Sequence, residues 1–284
     1  MGLLWKRAKR SYRQEDRVRK AGAGRKYYLE SMDEKLALVL IYYRTYAIQD
    51  LLSYMFGIDQ SNVSRLIQKL EPLLEEAAGP SLRGSINQSK EARRLGKACG
   101  LLEFIEAYPE ATGIITDATE VRCLRPKDKE TRKKYYSGKK KTHTIKTQLT
   151  VARSNQKILN ISASYPGSVH DKKIFDIEKT CENISKSTPH WMDLGYLGVQ
   201  HDYPEHYNIL PIKKPRGKEL SPFARSLNRA HSKIRILIEH VLSRIKKFKI
   251  IEQVYRGKMD GFNQTFRNIV AIYNFKLGEM PATS

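Results

Sequence analysis

The chain is short of cysteines, long apolar runs and acidic residues, and each shortage narrows what it can be. Its three cysteines, Cys99, Cys123 and Cys181, are odd in number and lack metal-ligand spacing. They argue against a disulfide framework or a zinc site and read as reduced thiols of a cytoplasmic protein. The seven histidines form no ligand pattern either. Leu36 to Tyr43 is the longest apolar run, far below the roughly 20 residues that span a bilayer. Near the N-terminus Trp5 is followed by Lys6, Arg7, Lys9 and Arg10, which is not a secretory pattern. No internal repeat or low-complexity tract is present. Acidic residues number 30 against 52 Lys and Arg, a net charge of +22. That excess points to a phosphate-rich partner through steering and counterion release. Charge alone does not separate DNA from RNA, and a merely basic soluble protein is the bland alternative.

With 284 residues the chain has room for one large domain and a small one. Residues 1–26 hold ten Lys/Arg against Glu15 and Asp16, either a solvated tail or an arm on a DNA backbone. Residues 27–80 read as an all-α module. Asp33 is placed to cap a helix with Leu36, Val39, Leu40 and Tyr43 on one face. A second helix, Ile48 to Phe56, stops at Gly57, where a C-cap favours positive φ. A third runs from Gln60 to Leu74 with Val63, Leu66, Ile67 and Leu70 inward. Helix, short turn with Gly, helix is the helix-turn-helix pattern, which directs Gln60, Ser61, Asn62, Ser64 and Arg65 at a DNA groove. An ordinary helical bundle would show the same periodicity. Residues 81–111 read as a connector.

From residue 112 to 278 the period changes. Strands are expected at Gly113–Val121, Thr144–Val151, Ile158–Ala163, Trp191–Met192 and Asn208–Ile212, with a turn at Asn155-Gln156. Helices are expected at Asp171–Glu178 and Ser221–Phe248, while Arg122 to Lys141 is left as a charged stretch. This order is that of an RNase H-like α/β fold, a mixed five-stranded sheet flanked by helices.

In such a fold the first strand is central, the fourth is its neighbour and the last helix crosses them. Carboxylates on those elements, Asp117, Asp193 and Glu239, would meet. They could hold two Mg²⁺ or Mn²⁺ ions about 3.5–4 Å apart, because hard oxygen donors suit those cations. Arg235, Glu239 and Lys246 are spaced to share a helical face, with Arg235 free to pair with Glu239 or with a phosphate. Asp171, after His170, competes with Asp193 for the second place, its other role being to cap the helix that follows. Lys139, Lys140 and Lys141, behind Tyr135 and Tyr136, suit phosphate gripping; a solvated hairpin is the plain alternative.

Thr116-Asp117-Ala118-Thr119-Glu120, Tyr136-Ser137-Gly138-Lys139, Pro166-Gly167-Ser168-Val169-His170-Asp171, Asp193-Leu194-Gly195-Tyr196 and Ile238-Glu239-His240-Val241 follow in this order. Together they resemble the DDE transposases of bacterial insertion sequences related to the eukaryotic Harbinger group. Gln60-Ser61-Asn62-Val63-Ser64-Arg65 resembles that family's helix-turn-helix. The resemblance implies a metal-dependent endonuclease with Asp117, Asp193 and Glu239 as its triad. It also implies double-stranded DNA partners (element ends and target), a homo-oligomer in the active complex, and a cytoplasmic, nucleoid-associated location. A related Tyr-Arg-Glu-Lys signature maps onto Arg235, Glu239 and Lys246, with Ser232 at its Tyr position. Two other readings remain at this point: a non-catalytic, domesticated DNA-binding protein, and a nuclease of the same fold that cuts without joining.

Overall fold

The computed structural model describes residues 29, 31–78 and 112–279. The arm, the whole of the expected connector at 81–111 and the last residues lie outside the described residues. Contacts divide the chain into two compact units, one formed by the N-terminal helices with Ile245 onward, the other reaching to Arg244.

The first unit is helical. Helix α1 (Met32–Thr45) is capped by Ser31, whose hydroxyl accepts from Glu34 N–H while Glu34 returns the bond to Ser31 N–H. Ser31, not Asp33, is therefore the cap, because this capping box satisfies two end donors at once. Helix α2 (Gln49–Phe56) ends on Gly57 at φ 61°, as a left-handed C-cap requires. Helix α3 (Gln60–Ala78) follows after a tight turn. Leu38, Val39, Tyr43, Leu52, Val63, Ile67 and Leu70 form the core, which accounts for the helical spacing of the apolar residues. The chain's last helices, α8 (Lys249–Glu252) and α9 (Met259–Glu279), also belong to this unit. On α9, Asn268 donates to Glu71 O at 3.0 Å, and Arg267 pairs with Glu75 at 3.2 Å. Residues 245–278, which the sequence pattern groups with the α/β region, pack instead with the N-terminal helices.

The second unit is a mixed sheet with helices. Its strands are β1 (Ile114–Arg122), β2 (Tyr136–Ser137), β3 (Thr142–Ala152), β4 (Ile158–Ile161), β5 (Tyr165–Pro166), β6 (His190–Trp191) and β7 (Asn208–Ile209). The order β2-β3-β1-β6-β7 places β1 in the middle, antiparallel to β3 and parallel to β6, while β4 and β5 also pair with β3. All five expected strands are there, and two short ones add to them. The fold is RNase H-like. Arg122–Lys141 is not merely a charged stretch: it contains helix α4 (Lys129–Tyr135), capped by Asp128 accepting from Thr131 N–H at 2.7 Å. That helix buries none of its residues, so no apolar period announced it. Helix α5 (Asp171–Ile177) sets Ile174 and Phe175 in the interior; Phe175 packs with Cys181, Met192, Tyr196 and Val199. A one-turn helix, α6 (Val199–Asp202), precedes β7. The long helix α7 (Pro222–Ile245) buries Ile238, Val241 and Leu242 and stops three residues before the expected end at Phe248.

Candidate active site

Parallel pairing of β1 with β6 aligns Ile115 with Trp191. Asp117 lies two residues further along β1, and Asp193 two residues past Trp191, just beyond the end of β6, so the register leaves the two carboxylates close enough for the charge of Asp193 to act on Asp117. Gly113, at φ 112°, lets the strands approach: a Cβ there would sit 2.3 Å from the Trp191 ring. Asp193 then caps a one-turn 3₁₀ helix, Leu194–Tyr196, its Oδ1 accepting from Gly195 N–H at 2.7 Å.

Asp171 joins them from the start of α5. A Cβ added to Gly195 would lie 2.8 Å from Asp171 Oδ2 and 2.8 Å from Asp193 Oδ1. Both carboxylates therefore converge on this glycine, which has to be small. Asp171 Oδ1 is fixed by Lys146 Nζ at 2.8 Å. Lys146, on β3, also donates to Val169 O at 2.8 Å and stands 3.7 Å from Glu120 Oε1. Thr144 donates to the other Glu120 oxygen at 2.7 Å. The ammonium thus bridges two acids and a carbonyl, and its side chain is only 10% exposed.

On the other side α7 brings Arg235 to 3.5 Å from Asp117 Oδ2, while Asp117 Oδ1 accepts from Ala118 N–H at 2.8 Å. The carboxyl of Asp117 is pushed up to about 6 by burial and by the charge of Asp193; Arg235 and the Ala118 N–H oppose the shift, and Asp171 adds to it. That balance is the mark of concentrated, incompletely neutralised negative charge. Tyr196 is fully buried under these acids, its hydroxyl without a hydrogen-bond partner, and its pKa is raised by burial and the three aspartates.

The structure brings together Asp117, Asp193, Asp171 and Arg235. Glu239 is exposed on α7, one turn beyond Arg235 on the same face, and its side chain makes no hydrogen bond or ion pair among the described residues. Arg235 takes Asp117 as its acidic partner, where the sequence had offered Glu239. His170 is the exposed N-cap residue of α5 and makes no side-chain cap bond. Lys246 follows the last residue of α7 and is exposed, so the helical face it was to share ends one residue before it. The site features that sequence reasoning missed are Lys146 and Tyr196. A lone lysine at position 146 of an alternating strand was a signal, since its register partner across β1 is Glu120.

As placed, no three His, Cys, Asp or Glu side chains among the described residues form a ready cation cage. The donor set nonetheless fits a hard cation. One oxygen of each aspartate is held by the chain, through Ala118, Gly195 or Lys146. Such anchoring preorients carboxylates for oxygen-preferring ions such as Mg²⁺ or Mn²⁺.

In the helical unit, Gln60, Ser61, Asn62 and Arg65 are exposed at the start of α3, and Ser64 is half-buried. Gln60 donates to Gln49 Oε1 of α2 at 2.8 Å, and Arg65 to Asn62 Oδ1 at 3.2 Å. Lys139, Lys140 and Lys141 occupy an exposed turn between β2 and β3.

Residues 116–274 match the family model described as DDE superfamily endonuclease, and residues 28–80 match the helix-turn-helix of DDE superfamily endonuclease. The chain belongs to this family of nuclease-type enzymes. It is 29% identical over 262 residues to a probable transposase for insertion sequence element IS702 of Microchaete diplosiphon, covering 92% of this chain and 86% of the relative. A putative transposase for insertion sequence element IS112 of Streptomyces albus G is 24% identical over 263 residues, covering 92% and 85%. No solved structure matches significantly. No helix among the described residues is long and apolar enough to cross a membrane.

Proposed function

We propose that the chain is a transposase that binds the ends of a mobile DNA element through α2 and α3 and cleaves and joins strands in its α/β unit. The observation that carries this reading is the register-aligned pair Asp117 and Asp193, with Asp171 beside them and Arg235 against Asp117. Asp117 and Asp193, with Glu239 from α7, would hold two divalent ions, Mg²⁺ or Mn²⁺. When bound, such ions activate an attacking water or 3′-hydroxyl and stabilise the leaving oxygen of the phosphodiester.

The chain's own residues do the positioning. Gly195 N–H and Ala118 N–H orient the two aspartates, and Lys146 fixes Asp171 beside them. Arg235 offers a planar guanidinium that suits a phosphate oxygen as well as the Asp117 carboxylate. Lys139, Lys140 and Lys141 would grip the backbone without reading sequence. Sequence readout falls to Gln60, Ser61, Asn62, Ser64 and Arg65. Two element ends must be handled together, which favours a homo-oligomer, and the substrate places the work on the nucleoid in the cytoplasm.

The test is a Mg²⁺-dependent assay on labelled duplexes that carry the sequence bordering the coding region. Asp117→Asn should abolish cleavage while binding persists. Joined products with a target duplex separate a transposase from a simple nuclease. Unchanged cleavage by Asp117→Asn would refute the assignment.

A further inference from the structure

We propose that Tyr196 is a positioning residue of the active site: its hydroxyl is the hydrogen-bond donor that holds the Asp117 carboxylate in the orientation that takes a divalent cation. The inference rests on the transposase reading and adds to that site a residue acting through one of its acids.

The ring is fixed whether or not an ion is bound. Tyr196 closes the 3₁₀ turn that Asp193 caps, and its N–H donates to Asp193 O at 3.2 Å. Its side chain is fully buried with Phe175, Met192 and Val199, edge-on to the Phe175 ring at 5.8 Å between centroids. Gly195, just before it, is the residue on which oxygens of Asp171 and Asp193 converge. A ring packed this closely cannot swing its hydroxyl out to solvent.

That hydroxyl has no hydrogen-bond partner among the described residues. Leaving a buried hydroxyl unbonded is costly, and phenylalanine would fill the same space without the cost. Packing therefore does not account for the oxygen. Burial raises the Tyr196 pKa first and the charge of Asp117 next, ahead of Asp171 and Asp193. The phenol thus keeps its proton as a donor, and Asp117 is the acid that acts on it most. Nε of Arg235 is a second buried donor without a partner among the described residues. Two donors stand idle beside three acids.

The acids themselves are only half held. Ala118 N–H, Gly195 N–H and Lys146 each fix one oxygen of Asp117, Asp193 and Asp171. The other oxygen of Asp117 faces Arg235 at 3.5 Å, longer than a hydrogen bond. As placed, no three acidic side chains among the described residues close into a cation cage, so at least one must turn to take an ion. The last torsion of an aspartate is soft enough to allow it. Ligating carboxylates are in turn hydrogen-bonded by a surrounding shell, and Tyr196 has the one donor here that is fully buried, rigid and unused by a charge pair.

The experiment titrates Mn²⁺ into the DNA-free full chain, reading free ion by electron paramagnetic resonance, beside thermal melts without metal. Tyr196→Phe should bind Mn²⁺ about tenfold more weakly. Its metal-free midpoint should stay level or rise, because an unbonded hydroxyl has been removed. Half-maximal cleavage should need about tenfold more Mg²⁺. A hydroxyl that served only the fold would do the reverse, lowering the metal-free midpoint and leaving Mn²⁺ affinity parental, and that result overturns the proposal. Parental affinity with an unchanged midpoint overturns it as well. Asp193→Asn separates this failure from a larger one. If Asp193→Asn loses Mn²⁺ affinity and Tyr196→Phe keeps it, only the role of Tyr196 falls. If both bind Mn²⁺ as the parent does, the acids hold no ion and the transposase reading of the cluster falls with it.

Discussion

Replacing Lys146 with Met removes the ammonium that bridges Asp171 at 2.8 Å and Glu120 at 3.7 Å, while keeping most of the volume. The side chains of the two acids are 19% and 7% exposed, so water cannot make good the loss. Removing one partner of a buried pair costs about 3–5 kcal/mol, chiefly because a charge is left buried without compensation. At ~2 kcal/mol per molar urea, the α/β unit should lose about 2 M from its midpoint. Trp191, on β6, reports that unit once Trp5 is replaced by Phe. The explanation makes a second demand. Adding Asp171→Asn to Lys146→Met removes one of the orphaned charges, so the double variant should recover a substantial part of the lost stability. A Lys146→Met midpoint within ~0.5 M of the parent, or a further fall on adding Asp171→Asn, would show that the bridge contributes little and the reasoning is wrong.

Gly195, His190 and Arg65 each give a further test. Gly195→Ala puts a Cβ 2.8 Å from oxygens of both Asp171 and Asp193; cleavage should fall ~100-fold or more through misplacement alone, with the far-UV spectrum kept, and near-parental cleavage would show that the carboxylates need no such clearance. His190 is fully buried, with its pKa pushed down to about 3 by burial and by His206. The folded state therefore resists a proton that the unfolded chain accepts near 6.5. Its stabilising effect is complete above pH 6.5 and is lost as pH falls toward 3, at about 1.4 kcal/mol per pH unit. Urea titrations between pH 6 and 4 should show a shallower slope for His190→Gln, and equal slopes would rule out His190 as the proton acceptor. Arg65→Ala should weaken element-end binding by on the order of tenfold and, if Arg65 reads a base, relax preference at one position; a uniform loss across sequences would assign it to phosphate instead.

The sheet was legible because its strands alternate or carry β-branched runs, and because parallel neighbours fix register. The Asp117–Asp193 pairing is a consequence of that register: each acid follows an apolar strand start whose partner residues, Ile115 and Trp191, align. Helix α4 was not legible, since a helix that buries nothing leaves no period in the sequence. The destination of the last helix was hidden for a different reason. Its apolar residues Phe262, Phe266, Ile269 and Val270 are fully buried and declare a core face, yet periodicity does not say which core. The deciding contacts are polar: Asn268 on Tyr43 and Glu71, Thr265 on Glu71 and Arg267 on Glu75. Such bonds depend on partners some two hundred residues away in sequence.

The two halves of the candidate site differ in what holds them. Asp117, Asp193 and Asp171 are set by the sheet, by Gly195 and by Lys146, so their placement is an outcome of folding and resists perturbation. Arg235 and Glu239 ride on α7, whose buried residues Ile238, Val241 and Leu242 fix its line but leave its polar face responsive to charge. Arg235 is drawn toward the acids because it is cationic. A fourth carboxylate, Glu239, would meet like charge there and stays in water. Divalent cations, if held by the aspartates, would offset that repulsion, and Glu239, one turn from Arg235 on the same face of α7, stands where its carboxylate could add an oxygen donor.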